Sequence, residues 1–490
     1  MDKAAMARAA DPGSACGATL AALAALPEDL SLDLRLERSF QIEDAAWPQL
    51  RRLGRDYLTS PRLGRQEELS LWQANYDYWR RLVAAYEDCA ERYRSGGGES
   101  AAASSWLGVL YSRLLHAYVF CHKWARFRYG PVPGHLWSGA GRAYLAAVAS
   151  DVAEQELTVY PGADIPTSPR REYLNALMLH ASSMDNLLPL EIEIAQQLIS
   201  HFLPLVTFSE EPRHGNVYWV DAATSAAPRR LARMPEATPG LRFFSAGKTL
   251  IAVAELRQRI AASGEVPADI RGGGQFGGQY TARSILRLLD HLAGYWSPSP
   301  PSRSHPRQRV KLRLTVVHGL AAIQRQLAGD AVAGEAWIAE NVSRDGIGAV
   351  VALEASDWVR IGVLVGMQPE GGDNWLVGVV RRLARESEAV GVVGISTLGK
   401  AARPLLARNA AGATLSAILI DVPYPGETVQ LVMERGAYDA SAALSVDHDG
   451  ARLELWPEAL AETGTDFALG RYRVEAPTPV SSAPTWDERP

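Results

Sequence analysis

The sequence predicts an α+β multidomain protein: an all-α helical N-terminal domain, then a six-stranded antiparallel β-barrel with an additional β-rich segment. Three observations carry this. The first half repeats its apolar residues at helical spacing. A proline-rich stretch, "SPSPPSRSHPR" (297 to 307), holds four prolines in eleven residues, the composition of extended linker chain. Beyond it the period falls to about two, in short Val/Ile/Trp-rich runs separated by Gly, Asn, Asp and Pro.

Residues 1–38 are Ala-rich with scattered Gly, Pro and Asp and are expected to lack fixed structure. In the helical domain, 39–210, "QEELSLWQANYDYWRRLVAAYEDCAERYR" sets Leu69, Trp72, Tyr76, Trp79, Leu82 and Tyr86 three or four residues apart on one helix face, and "SGGGES" stops it. Further helices are expected over 101–128, around 140–156, and from Pro169 to about Val206, with Pro189 dividing the last. Residues 211–300 read as a mixed connecting region, with "VYWV" and "LRFF" as strands and "KTLIAVAELRQRIAASG" and "YTARSILRLLDHLAGYW" as helices.

In the barrel, 301–410, the six runs are "RVKLRLTVVHGL", "EAWIAENV", "GIGAVVAL", "WVRIGVLVGM", "WLVGVVRRL" and "AVGVVGI", and "KAARPLLARN" is expected to close the unit as a short helix. Residues 411–475 form the additional β-rich segment, and 476–490, rich in Pro, Ser and Thr, a disordered tail.

Composition narrows the function. A net charge of −5 provides no global field for DNA, RNA or anionic lipid, so any anion site is local. Cys16, Cys89 and Cys121 share no short spacing, which argues against a disulfide framework or a zinc module and for a reducing cytoplasm. The N-terminal "ATLAALAAL" is too short to span a bilayer and lacks a basic lead, and "WLGVLYSRLLHAYVF" is interrupted by Arg113 and His116 and reads as a buried helix. No membrane insertion is expected.

No residue set nominates itself as catalytic. "RGGGQFGGQ" lacks the Lys-Ser/Thr of a P-loop and follows no strand, so it reads as a connector. His116, Cys121 and His122 do not share a helix face, and no metal site is expected; Glu191, Glu193 and His201 read as ordinary helix residues, and Trp72, Tyr76 and Trp79 as helix core.

The anomaly is "RSHPRQRVKLR" at the barrel entrance, five permanent positive charges in eleven residues with no acid among them. Lys311 and Arg313 alternate with Val310, Leu312 and Leu314 and belong to a solvent face. Arg303 and Arg307 precede the strand, and Arg309 stands beside them as a further candidate. A guanidinium fork pairs with phosphate oxygens or a guanine edge and stacks on a purine. Downstream, Asn341, Ser343 and Gly346 fall at N-x-S-x-x-G spacing: two short donor/acceptor groups, and a glycine that permits close backbone approach.

Arg303-x-x-x-Arg307 followed by Asn341-x-Ser343-x-x-Gly346, across the first part of a six-run β unit, resembles the PilZ domain, the bacterial receptor module for cyclic di-GMP. The resemblance covers about residues 303–410 and leaves the helical region unassigned. It implies that Arg303 and Arg307 hold phosphate and guanine while Asn341, Ser343 and Gly346 form the opposing surface. The sequence departs from the family in three ways: Asn rather than Asp opens the second motif, Arg309 and Arg313 overlap the first with another R-x-x-x-R, and "AAIQRQLAGDAVAGE" expands the first hairpin.

The expectation is therefore a cytoplasmic, non-enzymatic second-messenger receptor that needs no cofactor, binds cyclic di-GMP and relays it through domain docking or through a protein partner on the helical domain. The alternative is a scaffold whose PilZ-like barrel is a protein-interaction module without nucleotide binding.

Overall fold

The computed structural model describes residues 12–60, 64–97, 104–162, 165–268, 270, 281–299, 305–399, 401–409, 411–448 and 451–475. The chain divides into two compact units at Ser302/Arg303. Arg303, the "RGGGQFGGQ" connector and the 476–490 tail, all singled out in the sequence, lie outside the described residues.

The first unit contains helices α1 (Pro12–Ala24), α2 (Leu32–Thr59), α3 (Arg65–Arg92), α4 (Leu107–Phe127), α5 (Gly134–Ala149), α6 (Pro169–Ala181) and α7 (Pro189–Phe202). Strands β1 (Thr207–Ser209), β2 (Tyr218–Asp221), β3 (Arg229–Arg230) and β4 (Leu241–Ser245) follow as a sheet in the order β1-β4-β2-β3, then helices α8 (Thr249–Ser263) and α9 (Ala282–Trp296). Helix α4 is buried nearly all round, as a central helix must be. Pro169 and Pro189 each open a helix at its first position, where the missing N–H costs nothing. One apolar core runs from Cys16 in α1 to Trp296 in α9.

Helix α1 occupies residues the sequence reading leaves without fixed structure. Cys16, Leu20 and Leu23, at i, i+4 and i+7, face the core, so tertiary burial supplies what the Ala-rich composition hides. The expected end of the helical domain near 210 is no break in this core, because Val253, Leu256, Ile285 and Leu292 of α8 and α9 join it.

The second unit opens with six strands: β5 (Gln308–His318), β6 (Glu335–Ser343), β7 (Gly346–Ala352), β8 (Leu364–Pro369), β9 (Leu376–Arg385) and β10 (Val390–Gly399). They close as an antiparallel barrel in the order β10-β7-β6-β5-β8-β9, one strand per apolar run of the sequence. The expansion of the first hairpin is a helix, α10 (Leu320–Leu327).

The expected closing helix at "KAARPLLARN" is instead strand β11 (Arg403–Asn409). Pro404 disfavours a helix interior, and Leu405 and Ala407 point into a core while Leu406 stays exposed, a period of two. With β12 (Thr414–Leu419), β13 (Thr428–Glu434), β14 (Leu444–His448), β15 (Ala451–Thr463) and β16 (Phe467–Glu475), β11 forms a second closed six-stranded barrel. The additional β-rich segment thus begins before residue 411 and is a barrel in its own right.

Candidate functional site on the first barrel

Strand β5 begins at the rim where β6 turns into β7. Gln308 stands opposite Val342, and Arg309 opposite Asn341, before a bulge shifts the register toward Leu312. Arg309, Lys311 and Arg313 alternate outward and are exposed, as the sequence pattern predicts. Arg307 lies just before the strand, and its Nη1 donates to Asn341 Oδ1 at 2.7 Å. The second arginine of R-x-x-x-R and the first residue of the N-x-S-x-x-G turn therefore touch.

Beside this contact, His305 Nδ1 and Asp345 Oδ2 lie 2.6 Å apart, a second tie from the pre-strand segment to the same turn. Ser343 Oγ donates to the carbonyl of Gly346 at 3.2 Å and so closes the turn from within. Gly346 is required by contact: a Cβ there would collide with the carbonyl oxygen of Ile395 on β10. Its neighbour Asp345 accepts from the backbone N–H of Thr397 at 3.0 Å.

Strand pairing extends the site across three more ladders. Asn341 is opposite Gly348 on β7, Gly348 opposite Gly394 on β10, and Gly394 opposite Arg382 on β9. Paired residues share a face, so Arg309, Asn341, Gly348, Gly394 and Arg382 form one row on the outside of the barrel. A Cβ on Gly348 would fall 2.6 Å from Asn341 Nδ2, so the carboxamide lies flat over bare backbone. Two glycines side by side add no side chains of their own to this floor, and the Asn341 amide lies over Gly348 and the Arg382 stem beside Gly394. Asn341 and Arg309 edge it on one side and Arg382 on the other.

Chemically, the row offers guanidinium forks on both edges, amide donors from Asn341, and a backbone floor flat enough for a planar ring system. Arg307, Arg309, Asn341, Ser343 and Gly346 come together on one rim. His305, Asp345, Gly394 and Arg382 escape sequence reasoning. His305 and Asp345 make a motif only once β5 and the turn are adjacent, and Arg382 lies more than seventy residues beyond Arg307 with no local pattern to mark it.

Residues 4–213 match the family model described as the N-terminal domain of the cyclic-di-GMP receptor FimW. This FimW match covers α1 to α7 and stops before the barrels, so it falls on the region the sequence reading left unassigned and not on the barrel that resembles PilZ. No curated protein matches the chain.

Within the FimW-like region a set of titratable side chains is buried. Arg113, 4% exposed, lies 2.9 Å from Glu43 and 2.9 Å from Asp44, and its guanidinium sits between the Phe40 and Tyr160 rings, 4.7 Å from each centroid. Tyr86 and Tyr160 both donate to Glu43, and burial, then the Glu43 charge, pushes both phenols well above their ordinary range. His116 contacts Glu172 at 3.1 Å, and burial raises the Cys121 thiol. Burial, with the charge of Arg126 next, lowers His122 to about 3 and His180 to about 4, so both imidazoles are neutral.

Glu191 caps α7 through the N–H of Leu188 at 2.9 Å, Glu193 pairs with the buried Lys123 at 2.9 Å, and Trp72 Nε1 donates to the carbonyl of Trp124 at 2.7 Å. Among the described residues no group of His, Cys, Asp and Glu is placed to hold a metal ion, and no helix is long and apolar enough to cross a membrane.

Proposed function

We propose that this chain is a cyclic-di-GMP receptor, with no covalent chemistry of its own, that holds the nucleotide on the outer face of the first barrel. The observation that carries the reading is the Arg307–Asn341 contact at the head of the glycine-floored row. Arg307 and Arg309 would meet phosphate and guanine, with Arg303 as the partner the PilZ resemblance implies. Asn341 and Ser343 would meet base or ribose edges, and Gly348 and Gly394 would let a purine lie against backbone. Arg382 would close the far edge. The match of residues 4–213 to a domain of FimW, described as a receptor for the same nucleotide, supports the ligand from a separate part of the chain.

The relay would run through docking of the helical unit, either with the barrel unit or with a protein partner, because a ligand shifts an equilibrium only by its differential affinity for the two states. Three buried, unpaired cysteines fit a cytoplasmic location.

Calorimetric titration with cyclic di-GMP, with GTP and cyclic GMP as controls, tests the binding. Saturable binding that Arg307→Ala weakens about 30-fold or more is expected, from loss of a charge-assisted contact worth ~2–3 kcal/mol. Full binding by the variant would favour the scaffold reading. An unchanged small-angle scattering profile at saturation would count against the docking relay.

A further inference from the structure

The two barrels share one strand order. Numbered from its own first strand, each pairs strand 1 with 2 and 4, 2 with 3, 3 with 6, 4 with 5, and 5 with 6. Six antiparallel strands close most simply as an up-and-down meander, so a common departure from it in consecutive segments of one chain marks a repeated unit. In both, the start of the first strand lies against the end of the second: Gln308 opposite Val342, and Arg403 opposite Leu419.

The rims differ in chemistry. The first barrel has Arg307 and Arg309 facing Asn341 and a turn of two residues, Arg344 and Asp345. At the corresponding place the second has Arg403 alone, with Gly399 and Ala407 four residues to either side, and an eight-residue connection, "IDVPYPGE" (420–427). Asp421 and Gly426 keep the offset of Asn341 and Gly346, but Pro423 replaces the serine and its hydroxyl, and Asp421 Oδ2 accepts from the N–H of Gln430 at 3.3 Å. Val422 and Tyr424 stand exposed where the first barrel carries polar groups.

What the second barrel does instead is visible in its outward faces. Ala417 and Leu419 of β12 line its own core, while Ile418 and Ile420 point the other way, into a cluster with Val317, Ile323, Leu364 and Val379 of the first barrel. Ile323 belongs to α10, the helix inserted only in the first barrel, and Ser416 Oγ donates to Gln324 Oε1 of that helix at 2.8 Å. Arg381 and Glu462 form a two-pronged pair, with Nη2 to Oε2 at 2.6 Å, and Asp466 Oδ1 accepts from the N–H of Leu364 at 3.1 Å.

We propose that the second barrel is a duplicate of the first that has given up nucleotide recognition and serves as its clamp, seated on the inserted helix α10. Only the nucleotide clause rests on the receptor reading above; the clamp does not.

Two measurements on the full chain test the proposal. In titrations with cyclic di-GMP, Arg403→Ala is expected to bind within twofold of wild type, and Arg307→Ala to bind about 30-fold or more weaker, with no further loss when Arg403→Ala is added. Residual binding in Arg307→Ala that the added Arg403→Ala removes would overturn the nucleotide clause. Absence of any binding by wild type would instead sink the receptor reading and leave the second barrel silent as proposed. In hydrogen–deuterium exchange, Ile323→Ala is expected to raise exchange of β12 and β13 together with β5 and β8 at least fivefold, with α4 and α6 unchanged. Glu462→Ala, half-buried and outside either apolar core, is expected to raise exchange in both barrels in the same pattern to a smaller extent. A rise confined to the first barrel in both variants would overturn the clamp.

Discussion

Arg113 in the helical unit and Arg307 on the first barrel are the same side chain in opposite settings. Arg113 is sealed between two aromatic rings with carboxylates at 2.9 Å on Glu43 and Asp44, so every charge it could offer a ligand is already taken. Arg307 is exposed and meets the neutral Asn341 amide at 2.7 Å, beside Arg309 and a floor of glycine. The difference teaches that residue type says little about role until burial is known.

Breaking the buried member has the largest expected effect. Arg113→Ala strands the Glu43 carboxylate in the core and should cost ~3–5 kcal/mol in denaturant unfolding of the helical unit. A cost under ~1 kcal/mol would show that the two settings are not distinct. Arg307→Ala should do the reverse, leaving unfolding within ~0.5 kcal/mol while nucleotide binding drops. Arg313→Ala, from the same basic run but on the solvent face beyond the row, should change neither by more than ~0.5 kcal/mol, which separates the site from its surroundings.

Acid sharpens the comparison next. His122 and His180 are neutral in the fold, at about 3 and about 4, against about 6.5 in an unfolded chain. As pH falls below about 6.5 the unfolded chain takes up protons that the folded chain refuses, so stability is lost by ~1.4 kcal/mol per pH unit for each histidine until its folded value is reached. Equilibrium unfolding followed between pH 7 and pH 5 should show this slope in the helical unit. His122→Asn should make the slope shallower, and a flat profile in the wild type would contradict it. A smaller effect on binding than that of Arg307→Ala is expected of Gly348→Ala. Its Cβ would press on the Asn341 amide and tilt it off the floor, weakening binding ~5- to 10-fold, about 1 kcal/mol, with little change in unfolding.

Elements whose signal is local were legible in the sequence. Leu69, Trp72 and Tyr76 mark α3 by spacing, Pro189 divides α6 from α7, and six apolar runs mark six strands. Elements whose stability comes from distant contacts were not. Helix α1 depends on core partners for Cys16, Leu20 and Leu23, and β11 on strands to either side, while its Leu-Leu-Ala composition reads as helix. The second barrel stayed hidden because repetition of strand order leaves no repeat of residues. At the site, the Arg307–Asn341 side was legible because R-x-x-x-R and N-x-S-x-x-G are short patterns. Gly394 and Arg382 were not, because only barrel closure brings β9 and β10 beside β7.

The most direct test of the account compares hydrogen–deuterium exchange of the full chain with and without saturating cyclic di-GMP. Protection is predicted at residues 341–348 and around Gly394 on the first barrel, with none on the second barrel's 420–427 connection. Protection confined to the FimW-like helices, with residues 341–348 unchanged, would contradict it and move the nucleotide site to the helical unit.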